Sequence, residues 1–139
     1  MPKRDIFHQT VKNALQKDGW TVTYDPFFVP TEGGVNFFID LGLESIIGAA
    51  RNDKNVAIEI KSFDATTPTY SFYEILGQFL LYRMALEEQT EPWELYVAMS
   101  EQGYQKLHEA PIFRRAIDEF SVKLVIFNPL TETITKWIK

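Results

Sequence analysis

Residues 56–63 read Val56-Ala57-Ile58-Glu59-Ile60-Lys61-Ser62-Phe63, and this stretch decides the fold. Its β-branched, apolar character reads as a strand. Successive side chains of a strand point to opposite faces, so Val56, Ile58 and Ile60 share one face and enter a core. Glu59 and Lys61 share the other. A carboxylate and an amine are thereby placed about 7 Å apart along one side of the strand.

Working outward, Val35–Asp40 begins an apolar stretch that continues past Gly42 into Ser45–Arg51. Asn52-Asp53-Lys54-Asn55 reads as a turn, so this stretch and residues 56–63 form a hairpin. The acids Asp40 and Glu44 lie on the first arm. A turn centred near Asp53 sets Glu44 opposite about Lys61 and leaves Asp40 past the end of the strand. A bulge or bend near Gly42 brings in Asp40 instead. Spacing leaves both open.

Before the hairpin, Asp5–Asp18 is an amphipathic helix with Phe7, Val11, Ala14 and Leu15 at helical spacing and Gly19 as its stop. Trp20–Tyr24 alternates as a strand. Asp25–Gly34, with two prolines and Gly33-Gly34, reads as an irregular connection. After the hairpin, Thr66–Thr69 leads into the strongest helix, Tyr70–Glu88. It is apolar nearly all round, which predicts burial on more than one side. Trp93–Met99 is a strand, Ser100 caps a helix over Glu101–His108, and Ile112–Phe120 is helical. Val122–Phe127 and Thr133–Ile138 are strands that pair or lie side by side. The order predicts an α/β sandwich with a mixed central sheet flanked by helices. The helix over Tyr70–Glu88 serves as a crossover.

The chain has 139 residues, a length that favours one domain, and 45% of them are hydrophobic, which suffices for a core. Cysteine is absent, so thiolate metal sites and disulfides are excluded and any metal must use oxygen or imidazole ligands. No apolar run is long enough to span a membrane, and no apolar signal region follows Met1. The expectation is a soluble, cytoplasmic protein. Net charge is -5 and the sequence pI is about 5.0, against the basic balance of a self-sufficient DNA binder. Contact with DNA must then be local, metal-assisted or supplied by a partner.

Carboxylates with a lysine suit phosphodiester hydrolysis. Magnesium or manganese held by acids neutralises the phosphate and activates a water. A lysine beside the ion can orient that water or take its proton. The candidate ligands are Asp40, Glu59 and Glu44, with Lys61 as the amine. On the long helix, Glu74, Gln78 and Tyr82 recur every four residues as a polar stripe that should face something polar. The plain alternative is that both the Glu59/Lys61 pair and this stripe are solvated faces. His8 lies near a helix start, where packing competes with ligation as its role, and His108 has less claim to function.

Asp40, Glu59, Lys61 and Gln78 together resemble the motif of the PD-(D/E)XK nuclease fold: an acid, a gap, [DE]-x-K, then a helix carrying Gln. The first helix, however, offers Asp5, His8 and Gln9 and lacks the Glu that many such nucleases take from it. More closely, the chain resembles the XisH family of cyanobacterial proteins through R-D-I-F-H-Q-T-V-K-N-A-L-Q-K-D-G-W at 4–20, I-D-L-G-L-E at 39–44, A-I-E-I-K-S-F at 57–63 and G-Q-F-L-L-Y-R-M-A-L at 77–86. That resemblance implies a restriction-endonuclease-like fold. It also implies a controlling role in excision of the fdxN element, a developmental DNA rearrangement of heterocyst-forming cyanobacteria. The partners it implies are a companion XisI-like protein, a site-specific recombinase and DNA. Two functions follow as expectations: a magnesium-dependent endonuclease, or a non-catalytic regulator that keeps the fold as a scaffold. Self-association is left open.

Overall fold

The central strand runs from Lys54 to Ile60 and lies in the middle of a six-stranded sheet. The computed structural model describes residues 5–45 and 54–139. Within them the order is α1 (His8–Lys17), β1 (Thr21–Tyr24), β2 (Phe27–Pro30), β3 (Asn36–Ile39), β4 (Leu41–Ser45), β5 (Lys54–Ile60), α2 (Pro68–Glu87), β6 (Glu94–Ser100), α3 (Glu101–His108), α4 (Pro111–Glu119), β7 (Leu124–Asn128) and β8 (Thr133–Ile138).

The main sheet has the order β1-β4-β5-β6-β7-β8. β5, β6 and β7 run parallel, and the outer pairings are antiparallel. A parallel neighbour needs a crossover, and α2 supplies it between β5 and β6. Both faces of the sheet are covered. On one, Val56, Ile58 and Ile60 join Leu41, Leu43, Tyr96 and Phe127 beneath Val11 and Leu15 of α1. On the other, Ala57, Val97 and Ile126 pack with Phe72, Ile75 and Phe79 of α2. Each fully buried aliphatic or aromatic side chain contributes about 1.5–3 kcal/mol, so the two clusters dominate the stability. At the end of β6, Ser100 Oγ accepts from the Gly103 amide at 3.0 Å and starts α3, as its position predicts.

Three expectations change. Five strands precede α2 rather than three, because the supposed connection over Asp25–Gly34 contains β2 and the first hairpin arm divides at Asp40 into β3 and β4; β2 and β3 pair as a separate two-stranded ribbon. Phe27 and Val29 of β2 are buried against the α2 side of the core, and this burial outweighs the flanking prolines. Second, α2 is not buried on more than one side: Phe72, Ile75, Phe79 and Leu86 enter the core, but Tyr70, Tyr73, Leu81 and Met84 are exposed. Third, the hairpin register differs. Glu44 pairs with Asn55, not with a residue near Lys61. Most of the Ser45–Arg51 run and the Asn52-Asp53 part of the expected turn lie outside the described residues, while Lys54 and Asn55 belong to β5. No described helix is long and apolar enough to cross a membrane.

Candidate functional site

The register of β4 on β5 builds the site. Leu41 pairs with Ile58, so Asp40, one residue before β4, falls level with Glu59. Asp40 is tied to β5 in both directions: its amide donates to Glu59 Oε1 at 3.3 Å, and its Oδ2 accepts from the Ile60 amide at 2.7 Å. No bulge interrupts this pairing; the bulge near Gly42 lies between β1 and β4 instead. Glu44 shares the Glu59 face but sits four residues down the ladder, roughly 13 Å away, and is not brought to the site.

Lys61 follows β5 and stays in the ladder through its amide, which donates to the Ala98 carbonyl at 3.0 Å. Its side chain folds back toward the acids. Nζ lies 3.4 Å from Glu59 Oε2 and 3.0 Å from Glu74 Oε1 on α2. The face carrying Glu59 and Lys61 is therefore not a solvated sheet face. α2 lies over it, and the stripe Glu74, Gln78, Tyr82 looks onto it. These residues line a cleft of about 570 Å³ with Asp5, Phe38, Asp40 and Ser62.

Burial governs the charges. Glu59 is only 8% exposed. Desolvation, reinforced by the neighbouring Asp40 carboxylate, pushes its carboxyl up to about 8 against the pull of Lys61. Burial likewise raises Asp40, although the Ile60 amide and the field of His8 draw it back. The Tyr82 hydroxyl is pushed up to about 12 by burial and by the charges of Glu59 and Asp40. Two buried carboxylates this close oppose each other's ionisation, and Lys61 offsets that opposition only in part.

The donor set fits a hard divalent cation. Magnesium is bound by one or two carboxylates, with water and substrate phosphate completing its shell. Asp40 and Glu59 provide two. Among the described residues no group of three or more acids and histidines forms a protein-only cage. Gln78 lines the same cleft, and its buried Oε1 has no hydrogen-bond partner among the described residues, an acceptor suited to a water or ligand.

His8 is buried and turned to a different acid. Its Nε2 lies 2.8 Å from Asp25 Oδ1, and Lys12 Nζ donates to Asp25 Oδ2 at 2.8 Å. Burial pushes the Asp25 carboxyl up, but the hydrogen bonds from Lys12 and His8 outweigh it and hold the group below its ordinary range. His8 thus has no bond to the cleft acids and acts on Asp40 through its field. His108 is exposed on α3, where its ring packs against Tyr104. Sequence patterns missed Ser62, whose hydroxyl donates to Asp5 at 3.0 Å on the cleft rim. It follows the strand's end, where alternation carries no signal.

The comparisons agree over nearly the whole chain. An XisH protein from Nostoc punctiforme is 34% identical and superposes with a TM-score of 0.84, covering 97% of this chain and 100% of the other. A fdxN element excision controlling factor protein from Anabaena variabilis is 33% identical with a TM-score of 0.82, covering 98% and 100%. Among curated proteins, none matches the chain. The family model for the XisH protein matches residues 1–135, and the chain belongs to the XisH family.

Proposed function

We propose that the protein acts in excision of an fdxN-type DNA element, through a divalent-metal-dependent phosphodiesterase core of the PD-(D/E)XK, restriction-endonuclease-like kind. The observation that carries this reading is the buried Asp40/Glu59 pair beside Lys61, with Glu59 pushed up to about 8 at the wall of an open cleft. Paired buried acids are costly to a fold, and such perturbed groups cluster at functional sites.

Asp40 and Glu59 would hold magnesium or manganese, which when bound neutralises the phosphate and acidifies a water. Lys61, set between Glu59 and Glu74, would orient the attacking water by donating to its oxygen, and the proton that the water gives up would pass to solvent. Gln78 would accept a hydrogen bond from that water through its unpaired Oε1. The substrate is DNA, met in company with an XisI-like companion protein and a site-specific recombinase. Cleavage of supercoiled, duplex and single-stranded DNA with magnesium and the companion present tests the reading. Lys61→Ala should lower the rate ~100-fold or more. Equal cleavage by both forms, or inertness on every DNA form, would overturn it.

A second reading has one observation in its favour. The chain is acidic, and its cleft amine is already engaged by two carboxylates. This suits a non-catalytic scaffold that docks the companion protein or the recombinase. Excision assays with Glu59→Gln and Lys61→Ala separate the two readings: the scaffold retains full excision and the enzyme loses it.

A further inference from the structure

The outer face of α2 is apolar, exposed and spaced symmetrically about one residue. Tyr70 is 75% exposed, Tyr73 62%, Leu81 53% and Met84 61%. With Gly77 they form a single stripe. At about 100° per residue, Tyr70 and Met84 lie within ~20° of Gly77 around the helix, and Tyr73 and Leu81 within ~40°. Along the sequence they stand at seven and four residues on either side of Gly77. The core face, Phe79 and Leu86, is directly opposite. The four side chains of the stripe carry no charge; the charged Glu74 stands at its edge, paired with Lys61.

Gly77 is the informative member. Glycine in a helix interior costs about 1 kcal/mol relative to alanine. Nothing in the fold asks for it here, because a Cβ at this position would meet no atom within 4 Å. A glycine at the centre of an exposed apolar stripe gives room for another backbone to come close.

We propose that this stripe is the interface of a homodimer, in which α2 packs antiparallel on α2 of a second copy about a two-fold axis at Gly77. An isologous contact must be self-complementary, and the spacing is: Tyr70 meets the second copy's Met84, and Tyr73 meets its Leu81. Methionine against tyrosine is a favourable sulfur–aromatic pairing. The exposed parts of the four side chains amount to roughly 500 Å² per copy, so the pair buries ~1,000 Å², the threshold of a specific interface. The geometry has a consequence for the cleft. Gln78 and Tyr82 lie about 100–140° around α2 from Gly77, on one flank of the stripe. The two-fold that makes the helices antiparallel is perpendicular to both helices and to the line joining them. It keeps this flank on the same side, so both clefts open toward one face of the dimer. The dimer itself does not depend on the cleavage chemistry.

Sedimentation of the full chain over ~1–100 µM should show a concentration-dependent dimer, and Gly77→Lys should raise its dissociation constant ~100-fold or more. The lysine favours the helix over glycine, so circular dichroism and thermal stability of this variant should be intact and a misfolding explanation is removed. The chain has no cysteine, so Gly77→Cys carries the sole thiol. It should form an intermolecular disulfide on mild oxidation faster than Ile112→Cys, an exposed control on α4, because only a two-fold at residue 77 brings like Cα atoms within about 7 Å. A chain that stays monomeric throughout, a Gly77→Lys variant that dimerises as tightly as the parent, or equal crosslinking at the two positions would each overturn the proposal. The first result would leave the stripe to a different protein.

Discussion

Glu59 is the residue through which the site acts on the fold. Its carboxyl titrates near 4.5 when solvated and about 8 in the folded protein. A raised carboxyl binds its proton more tightly when folded, so the folded state is favoured below about 4.5 and loses that advantage as pH rises through about 8. Glu59→Gln keeps an oxygen for the Asp40 amide and removes the titration. It should be more stable than the parent by about 2 kcal/mol at pH 9, with the difference shrinking toward pH 4. Urea unfolding of both proteins across that range checks the sign, and a constant difference would mean that Glu59 is not the titrating group. The pairing of Glu59 with Lys61 was legible in the sequence because strand alternation is rigid. The choice between Asp40 and Glu44 was not, because it depends on the register, and register follows from how the two arms pair rather than from their composition.

At the scale of elements, what was legible had a period. The central strand, the long crossover helix, the Ser100-capped helix and the final strand pair all lie close to where alternation, helical spacing and capping put them. The β2–β3 ribbon had no such signature, since Phe27–Pro30 is a four-residue strand that follows one proline and ends on another, and its strand character comes from burying Phe27 and Val29. The outward face of α2 was misread for a related reason: an all-round apolar helix does not say whether its second side is covered by its own chain. Gly42 marks where the ribbon meets the main sheet. A Cβ there would stand 2.9 Å from Tyr24 Cδ2 and 3.2 Å from Phe27 Cγ, under two rings stacked 5.1 Å apart. Tyr24 is half exposed and can move, but Phe27 is buried and cannot. Gly42→Ala should therefore cost about 1–2 kcal/mol, read as a lower urea midpoint with an unchanged slope. An unaffected midpoint would show that both rings give way freely.

For the molecule as a whole the difficulty is charge. The chain has 14 basic and 19 acidic residues, and among the described residues lining the cleft Lys61 is the sole cation against Asp5, Asp40, Glu59 and Glu74. A phosphodiester approaching this wall meets repulsion that Lys61, already paired with two of those acids, does not cancel. A divalent ion held by Asp40 and Glu59, as proposed, would reverse the local balance and would offer the phosphate a ligand position. Duplex DNA should therefore bind the isolated chain weakly or not at all in chelator and measurably with magnesium at low ionic strength. Few lysines and arginines are available to displace counterions, so the logarithmic salt slope should be small, about 1–3. Glu59→Gln should remove most of the magnesium dependence while leaving the fold intact. Fluorescence anisotropy with a labelled duplex reads all three quantities. Tight binding in chelator with a steep slope would place the DNA on a different surface and separate recognition from the cleft. A shallow slope with strict magnesium dependence would join the two.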